Sequence, residues 1–190
     1  MKRSRTILII VLVLAVLGVI AFGILGSYPI ASVNSKLILA RELGTMYRAS
    51  MAYQNNLIAF YNAQNGSTTL QAPPDAEVER SVLNQLIESR LVRAELERAQ
   101  DPEVLKTLIE GKFDQYKASD FEKQATVFGL TLNDYKDLIL VPQAEHDILW
   151  NSLFVQGKDA NAWLTEAKQG ANVTLFSLKW KWDGKEAVAR

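Results

Sequence analysis

Few side chains of this sequence can hold a metal ion or act as a nucleophile, because it has one histidine, His146, and no cysteine. A zinc site at His146 would need three carboxylates around it, since no second imidazole or thiolate exists. The carboxylate pairs Glu95 with Glu97 and Asp134 with Asp137 lie on predicted solvated helix faces, without the apolar setting that acid–base catalysis requires. We therefore interpret His146 as a surface or capping residue, and we predict no catalytic residue, no metal site and no cofactor.

Sequence motifs for nucleotide binding and for serine hydrolysis are also missing. The sequence contains no G-x-G-x-x-G, no G-x-x-x-x-G-K-[ST] and no G-x-S-x-G. Its 21 basic residues balance its 21 acidic ones. Because Lys2, Arg3 and Arg5 precede the first apolar run, the rest of the chain is mildly acidic. That charge does not favour a phosphate backbone, so we predict no nucleic-acid partner.

Aromatic side chains are the remaining candidates for a binding site, because rings offer large contact areas that tolerate different partner sequences. The candidates for contact with an unfolded segment are Tyr47, Tyr53, Phe60, Tyr61, Phe113, Tyr116 and Trp163. A helical bundle also needs aromatic residues in its core. Each candidate therefore has two interpretations, as a lining residue of a groove or as a core residue.

An uncharged run over residues 7–25 opens the chain after a short basic tail. At ~1.5 Å per residue it reaches across a hydrocarbon layer of ~30 Å. It predicts a transmembrane helix over residues 7–26, with residues 1–6 in the cytoplasm and lipid contact through residues 7–25. The chain would then be a single-pass protein of the cell membrane with an extracytoplasmic C-terminal domain. The alternative is a cleaved signal peptide, but the run exceeds the usual ~7–15 residues and no A-x-A follows it.

Helical periodicity dominates the remaining sequence, and its clearest example is residues 75–100. There, apolar residues recur at steps of three and four, and Asp75 follows two prolines as a candidate N-cap. A helix over residues 40–64 precedes it, ending at Asn65-Gly66. Further helices are predicted from Asp101-Pro102 to about 116, from the capping box 119–122 to Gly129, from Thr131 to about 154 with a kink near Pro142, and over 159–168.

Two stretches favour strands instead. Residues 30–39 predict a hairpin that turns at Asn34-Ser35, since Asn tolerates the left-handed conformation. Residues 172–182 are rich in β-branched and aromatic types, which predicts one strand before the turn at Asp183-Gly184. Pairing the first strands with the last is the simplest way to satisfy their edges.

Several stretches together resemble the N-terminal chaperone module of the SurA, PrsA and PpiD group of extracytoplasmic folding factors. YPIASVNSKLILARELGTMY is similar to that group's opening strand pair and helix, with Ser35 where a glycine is usual. SVLNQLIESRLVRAELERA is similar to its central helix, and FEKQATVFGLTLNDYKDLILVPQ to its following helix pair. ANAWLTEAKQGANVTLF is similar to the helix and strand that close the module. The resemblance covers most of residues 29–153 together with this closing segment.

The resemblance implies a mainly α fold. We expect a transmembrane helix and then a SurA-N-like helical bundle over residues 27–183, with a small sheet made by the start and end of that domain and a tail over residues 184–190. It also implies a non-catalytic helper that binds unfolded or newly exported polypeptides. The alternatives are an adaptor that docks one envelope partner and an isomerase-related protein with residual activity. The inserted parvulin isomerase domain of the group has no counterpart here.

Overall fold

The computed structural model describes residues 26–64, 70–114 and 117–190. Helices form most of it, and five short strands lie near its two ends. The strands are β1 Pro29–Val33, β2 Lys36–Leu39, β3 Val173–Leu175, β4 Trp180–Trp182 and β5 Ala187–Ala189. The helices are α1 Ala40–Gln64, α2 Asp75–Ala99, α3 Pro102–Phe113, α4 Ala118–Val127, α5 Leu132–Tyr135, a π-helical turn Lys136–Leu140, α6 Val141–Val155 and α7 Ala160–Gly170.

Helix α2 lies at the centre of the packing, as its apolar stripe predicts. Its buried residues are Val78, Val82, Leu83, Leu86, Ile87, Leu91, Val92 and Leu96. The predicted N-cap at Asp75 is wrong. Pro74 takes that position, and its carbonyl oxygen accepts a hydrogen bond from the Glu77 amide at 2.9 Å. The Asp75 carboxylate instead lies near the Tyr47 side chain of α1.

A three-stranded antiparallel sheet of order β2-β1-β3 joins the two ends of the described chain. Asn34 and Ser35 form the hairpin turn with φ values of 46° and 69°. Ala31 of β1 lies opposite Leu175 of β3. The predicted hairpin and the predicted pairing of first with last strands are both confirmed.

The single strand predicted over residues 172–182 is divided in two. Between β3 and β4, the Ser177 hydroxyl accepts hydrogen bonds from the Lys179 and Trp180 amides at 3.1 and 3.3 Å, which turns the chain. β4 then pairs with β5 in a second hairpin. β5 lies within residues 184–190, the predicted tail, and the Ala187 amide donates to Asn84 Oδ1 of α2 at 2.7 Å. The final residues therefore pack on the central helix.

Side-chain caps start three of the other helices where the sequence predicts them. Asp101 accepts from the Glu103 amide, Thr131 from the Asp134 amide and Asp159 from the Ala162 amide. The capping box predicted over residues 119–122 is wrong. α4 begins at Ala118, and the Lys117 carbonyl accepts from the Asp120 amide.

The chain around Pro142 contains a π-helical turn, where the sequence predicts a kink or a helix junction. The Val141 amide donates to the Lys136 carbonyl, the i→i+5 pattern of a π-helix, and Pro142 then lies in the first turn of α6. Proline lacks an amide proton and crowds the turn before it. A wider turn absorbs that disruption, and α6 continues.

The described structure does not support the predicted transmembrane helix. Of its residues 7–26, only Gly26 belongs to the described part of the chain. Gly26 forms a turn with φ +61°, and its carbonyl oxygen accepts from the Arg41 amide at 2.9 Å. Within residues 26–64, 70–114 and 117–190, no helix combines the length and the apolar character that crossing a membrane requires. The longest, α1 and α2, each have 25 residues but carry charged or amide side chains. This finding contradicts the transmembrane part of the predicted fold class and the predicted single-pass membrane localisation, whereas the predicted mainly helical body with a small sheet is found.

Candidate functional site

The second half of α1 carries apolar side chains that the rest of the described structure leaves uncovered. The buried residues of α1 are Met46 and Ala49, so residues 50–64, which we call the α1 arm, contribute none. Tyr53, Leu57, Phe60 and Tyr61 are each between 40% and 58% exposed. Their spacing of four, three and one residues places them on one face of the helix, which we call the arm stripe.

Polar and aromatic contacts hold the α1 arm against its neighbours. Tyr53 stacks on Phe128 after α4, with ring centroids 4.9 Å apart and planes 8° apart. Asn56 Nδ2 donates to the Val127 carbonyl at 2.9 Å. Asn62 Oδ1 accepts a hydrogen bond from the Leu70 amide at 2.9 Å, so Leu70 lies beside the arm. The arm is therefore a supported surface with Leu70 and Val127, both exposed, at its sides.

The sequence around the α1 arm contains no formal charge. No Asp, Glu, Lys or Arg occurs between Arg48 and Asp75, although charged residues make up 22% of the chain. Apart from Ser50 and the two tyrosine hydroxyls, the polar side chains of the arm are carboxamides, which carry no charge. Solvated helix faces normally carry charge, whereas the centres of protein interfaces are depleted of it. This composition is typical of a surface that becomes covered.

An apolar cleft of about 390 Å³ lies between β1, the start of α1, α2 and the β3–β4 loop. Its lining includes Tyr28, Ile30, Leu43, Gly44, Tyr47, Leu83, Phe176 and Trp180. The Glu79 carboxylate at its edge accepts from Trp180 Nε1 at 3.2 Å and pairs with Lys179. Partial burial and the neighbouring Asp75 raise the pKa of the Tyr47 hydroxyl. The cleft can receive a large apolar side chain.

A wider cleft of about 740 Å³, between β2, α1, α2 and the π-helical turn, is lined by charged groups. Several of these pair with one another. Arg90 pairs with Glu42, and Lys36 Nζ lies 3.4 Å from Glu97 Oε2. Arg93 pairs across the helices with Glu145. These pairs satisfy much of the charge inside the described structure, so this cleft offers less to an apolar partner than the arm stripe does.

The aromatic residues predicted from the sequence as client contacts separate into different regions. Tyr53, Phe60 and Tyr61 lie on the arm stripe, and Tyr47 lines the apolar cleft. Phe113 packs edge-on to Phe121 in a small core, and Trp163 packs edge-on to Trp150 in another. Tyr116 falls outside the described residues. The structure thus brings three of these side chains onto one helix face and places Phe113 and Trp163 in partly buried packing.

Some exposed apolar residues were not singled out from the sequence. Leu57 lies at the middle of the arm stripe, and Phe176 and Leu178 protrude from the β3–β4 loop. The absence of charge between Arg48 and Asp75 could have identified Leu57. The loop residues carry no such pattern, because alternation predicts a strand there.

His146, the one histidine, packs against an aromatic neighbour. The His146 ring stacks on Trp150 with centroids 3.8 Å apart, and Nδ1 lies 3.9 Å from the Asp147 carboxylate. Among the residues that the structure describes, no group of three His, Cys, Asp or Glu side chains is arranged to hold a metal ion.

No protein-family model, curated protein or solved structure matches this chain. The geometry of its own surfaces is therefore the basis for a functional assignment.

Proposed function

We propose that this chain is a non-catalytic binding protein for unfolded polypeptides, and that the arm stripe is its contact surface. The observation that supports this proposal is the combination, on one helix half, of exposed aromatic and aliphatic side chains with a complete absence of formal charge. The resemblance to the chaperone module of the SurA, PrsA and PpiD group points to the same class of activity.

The chemistry of the arm suits a partner without a fixed sequence. Apolar contacts are non-directional, and each large side chain that becomes fully covered contributes roughly 1.5–3 kcal/mol. A partner's peptide backbone adds no sequence requirement, because every non-proline residue carries the same N–H and C=O groups. Because neither the apolar contacts nor the partner's backbone groups select particular partner residues, the expected binding is broad and reversible.

The arm stripe also fits an extended partner better than a small ligand. Small-molecule sites are concave and enclose most of their ligand, whereas the arm stripe is a convex helix face flanked by Leu70 and Val127. An unfolded segment can lie along it and cover several side chains at once. The rigid attachment of Tyr53 to Phe128 reduces the ordering that binding must impose on the arm.

Suppression of aggregation tests this proposal. Full-length chain is added to two unrelated unfolded proteins, one acidic and one basic, and light scattering is followed after dilution from denaturant. We compare wild type with Leu57→Ser/Phe60→Ser, and with Phe154→Ser as the matched control. Phe154 is 82% exposed at the end of α6, away from the arm stripe. Circular dichroism confirms that each variant is folded.

The expected result is that wild type and Phe154→Ser suppress scattering from both clients, while the double arm variant loses most of the effect. Equal suppression by all three folded proteins would show that the arm stripe is not the contact surface. No suppression of either client by wild type would overturn the proposed function.

A further inference from the structure

Three of the four arm-stripe residues are symmetric about Leu57, and Phe60 is the exception because Gln54 occupies the matching position. Leu57 lies four residues after Tyr53 and four residues before Tyr61, so tyrosines flank it on both sides along the helix. At ~1.5 Å per residue, the two tyrosines are about 12 Å apart along the axis. If two such stripes meet antiparallel, Leu57 faces its own copy and each Tyr53 faces a Tyr61.

A contact between identical surfaces places each group against itself or against its symmetric counterpart. A face that carries charge therefore meets like charge in such a contact. The α1 arm has none, so two arms can meet without opposing like charges. The chain as a whole has formal net charge +0, so two copies also approach without long-range repulsion.

We propose that the α1 arm docks on the α1 arm of a second copy of this chain, antiparallel, with the two-fold axis at Leu57. The stripe is short, so the contact is small and the dimer is weak and concentration-dependent. The arm stripe is also the surface to which we assign unfolded polypeptides, so dimer and client compete for it. That competition rests on the proposed function, whereas the dimer itself does not.

Engineered cysteines test the geometry, because the natural chain has none and each new thiol is therefore unique. Full-length Leu57→Cys and Phe154→Cys are oxidised under the same conditions, and disulfide-linked dimer is measured on non-reducing gels. Two thiols at a two-fold axis lie within disulfide reach, with Cβ atoms about 3.5–4.5 Å apart. Phe154 is the more exposed position, so random collision favours the control.

We expect Leu57→Cys to form dimer at least about tenfold faster than Phe154→Cys, because docking raises the effective concentration of the thiols. We also expect a mixture of Tyr53→Cys and Tyr61→Cys to give more mixed dimer than either variant gives with itself. Equal rates at positions 57 and 154, or a faster control, would overturn the inference. Both variants carry the same residues 1–25, so association through that segment affects both alike.

A second variant tests the contact without oxidation. Leu57→Lys places two ammonium groups at the proposed axis, and sedimentation should show monomer at concentrations where wild type and Phe154→Lys dimerise. An unfolded client should slow the crosslinking of Leu57→Cys in proportion to its concentration. Rapid crosslinking that clients leave unchanged supports the dimer and contradicts shared use of the arm. Slow crosslinking together with suppressed client aggregation overturns the dimer and leaves the proposed function standing.

Discussion

Arg93 of α2 donates a hydrogen bond from Nε to Oε1 of Glu145 on α6 at 2.8 Å, and Arg93 Nη2 forms an ion pair with the same oxygen at 2.6 Å. The Glu145 side chain is 2% exposed, whereas that of Arg93 reaches solvent at the wide polar cleft. The pair joins the central helix to α6 one turn after the π-helical turn. A buried carboxylate of this kind is costly to leave unpaired.

Replacing Arg93 by Met should lower the free energy of unfolding by about 3 kcal/mol, because Glu145 then stays buried without its partner. Arg93→Met/Glu145→Leu should recover most of that loss, since both charges are removed together. Urea unfolding measures both values. The control is Arg98→Met, which breaks the exposed pair with Glu95 and should cost less than about 1 kcal/mol. A double variant no more stable than Arg93→Met would contradict this account.

The stability contribution of Glu145 should also depend on pH. Burial raises the pKa of the Glu145 carboxyl above its ordinary 4.5, and the Arg93 guanidinium opposes part of that increase. The folded chain then holds this proton more tightly than the unfolded chain does. The contribution of the group is therefore full below pH 4.5 and is lost as the pH rises through the raised pKa.

Urea unfolding of wild type and Glu145→Gln from about pH 4 to about pH 7 measures this effect. We expect the stability of wild type relative to the variant to fall as the pH rises, because glutamine does not titrate. A relative stability that rises with pH would mean that pairing with Arg93 outweighs burial.

The sequence predicts those elements whose determinants are local. The stripe of α2, the cap at Asp101 and the hairpin at Asn34-Ser35 each depend on residues within one or two turns of chain, and all three are found. The division of residues 172–182 into β3 and β4 depends on the Ser177 hydroxyl and on packing of β5 against α2. The contact between Ala187 and Asn84 joins distant parts of the chain, and no local pattern indicates it.

The sequence identifies only some of the residues of the candidate site. Aromatic content alone does not separate Tyr53, which lies on the arm stripe, from Phe113, which packs against Phe121. The distinction depends on where neighbouring helices end. Helix α2 covers the first half of α1, and the arm extends past that cover. Charge composition between Arg48 and Asp75 is the one local property that marks the exposed half.

Ser35→Gly should stabilise the β1–β2 hairpin. Ser35 has φ 69°, a left-handed conformation that glycine adopts without strain. We expect the free energy of unfolding to rise by about 0.5–1 kcal/mol, since relief of strain exceeds the extra entropy of glycine in the unfolded chain. Ser32→Gly, in the middle of β1, is the matched control and should lower stability. Thermal unfolding of both variants decides the sign.

Two tryptophans of the last hairpin should respond differently to the same substitution. Trp180 Nε1 donates to Glu79 Oε1 at 3.2 Å, whereas buried Trp182 Nε1 finds no acceptor among the described residues. Trp180→Phe leaves Glu79 with one partner fewer, but Trp182→Phe removes an unsatisfied donor. We expect Trp180→Phe to be the more destabilising by about 2 kcal/mol in urea unfolding. Equal losses would show that indole volume, and not hydrogen bonding, sets the cost.

Filling the apolar cleft tests whether unfolded clients bind to the cleft or to the arm stripe. Gly44 lies in α1 on the wall of the cleft, and the nearest described atom to an added Cβ is Arg48 Nη1 at 3.7 Å. Gly44→Leu should raise stability by about 0.8 kcal/mol through helix propensity. Because we assign client binding to the arm stripe, this variant should suppress aggregation as well as wild type does. If it folds normally and loses suppression while Leu57→Ser/Phe60→Ser keeps it, the client surface is the cleft lined by Tyr47 and not the arm.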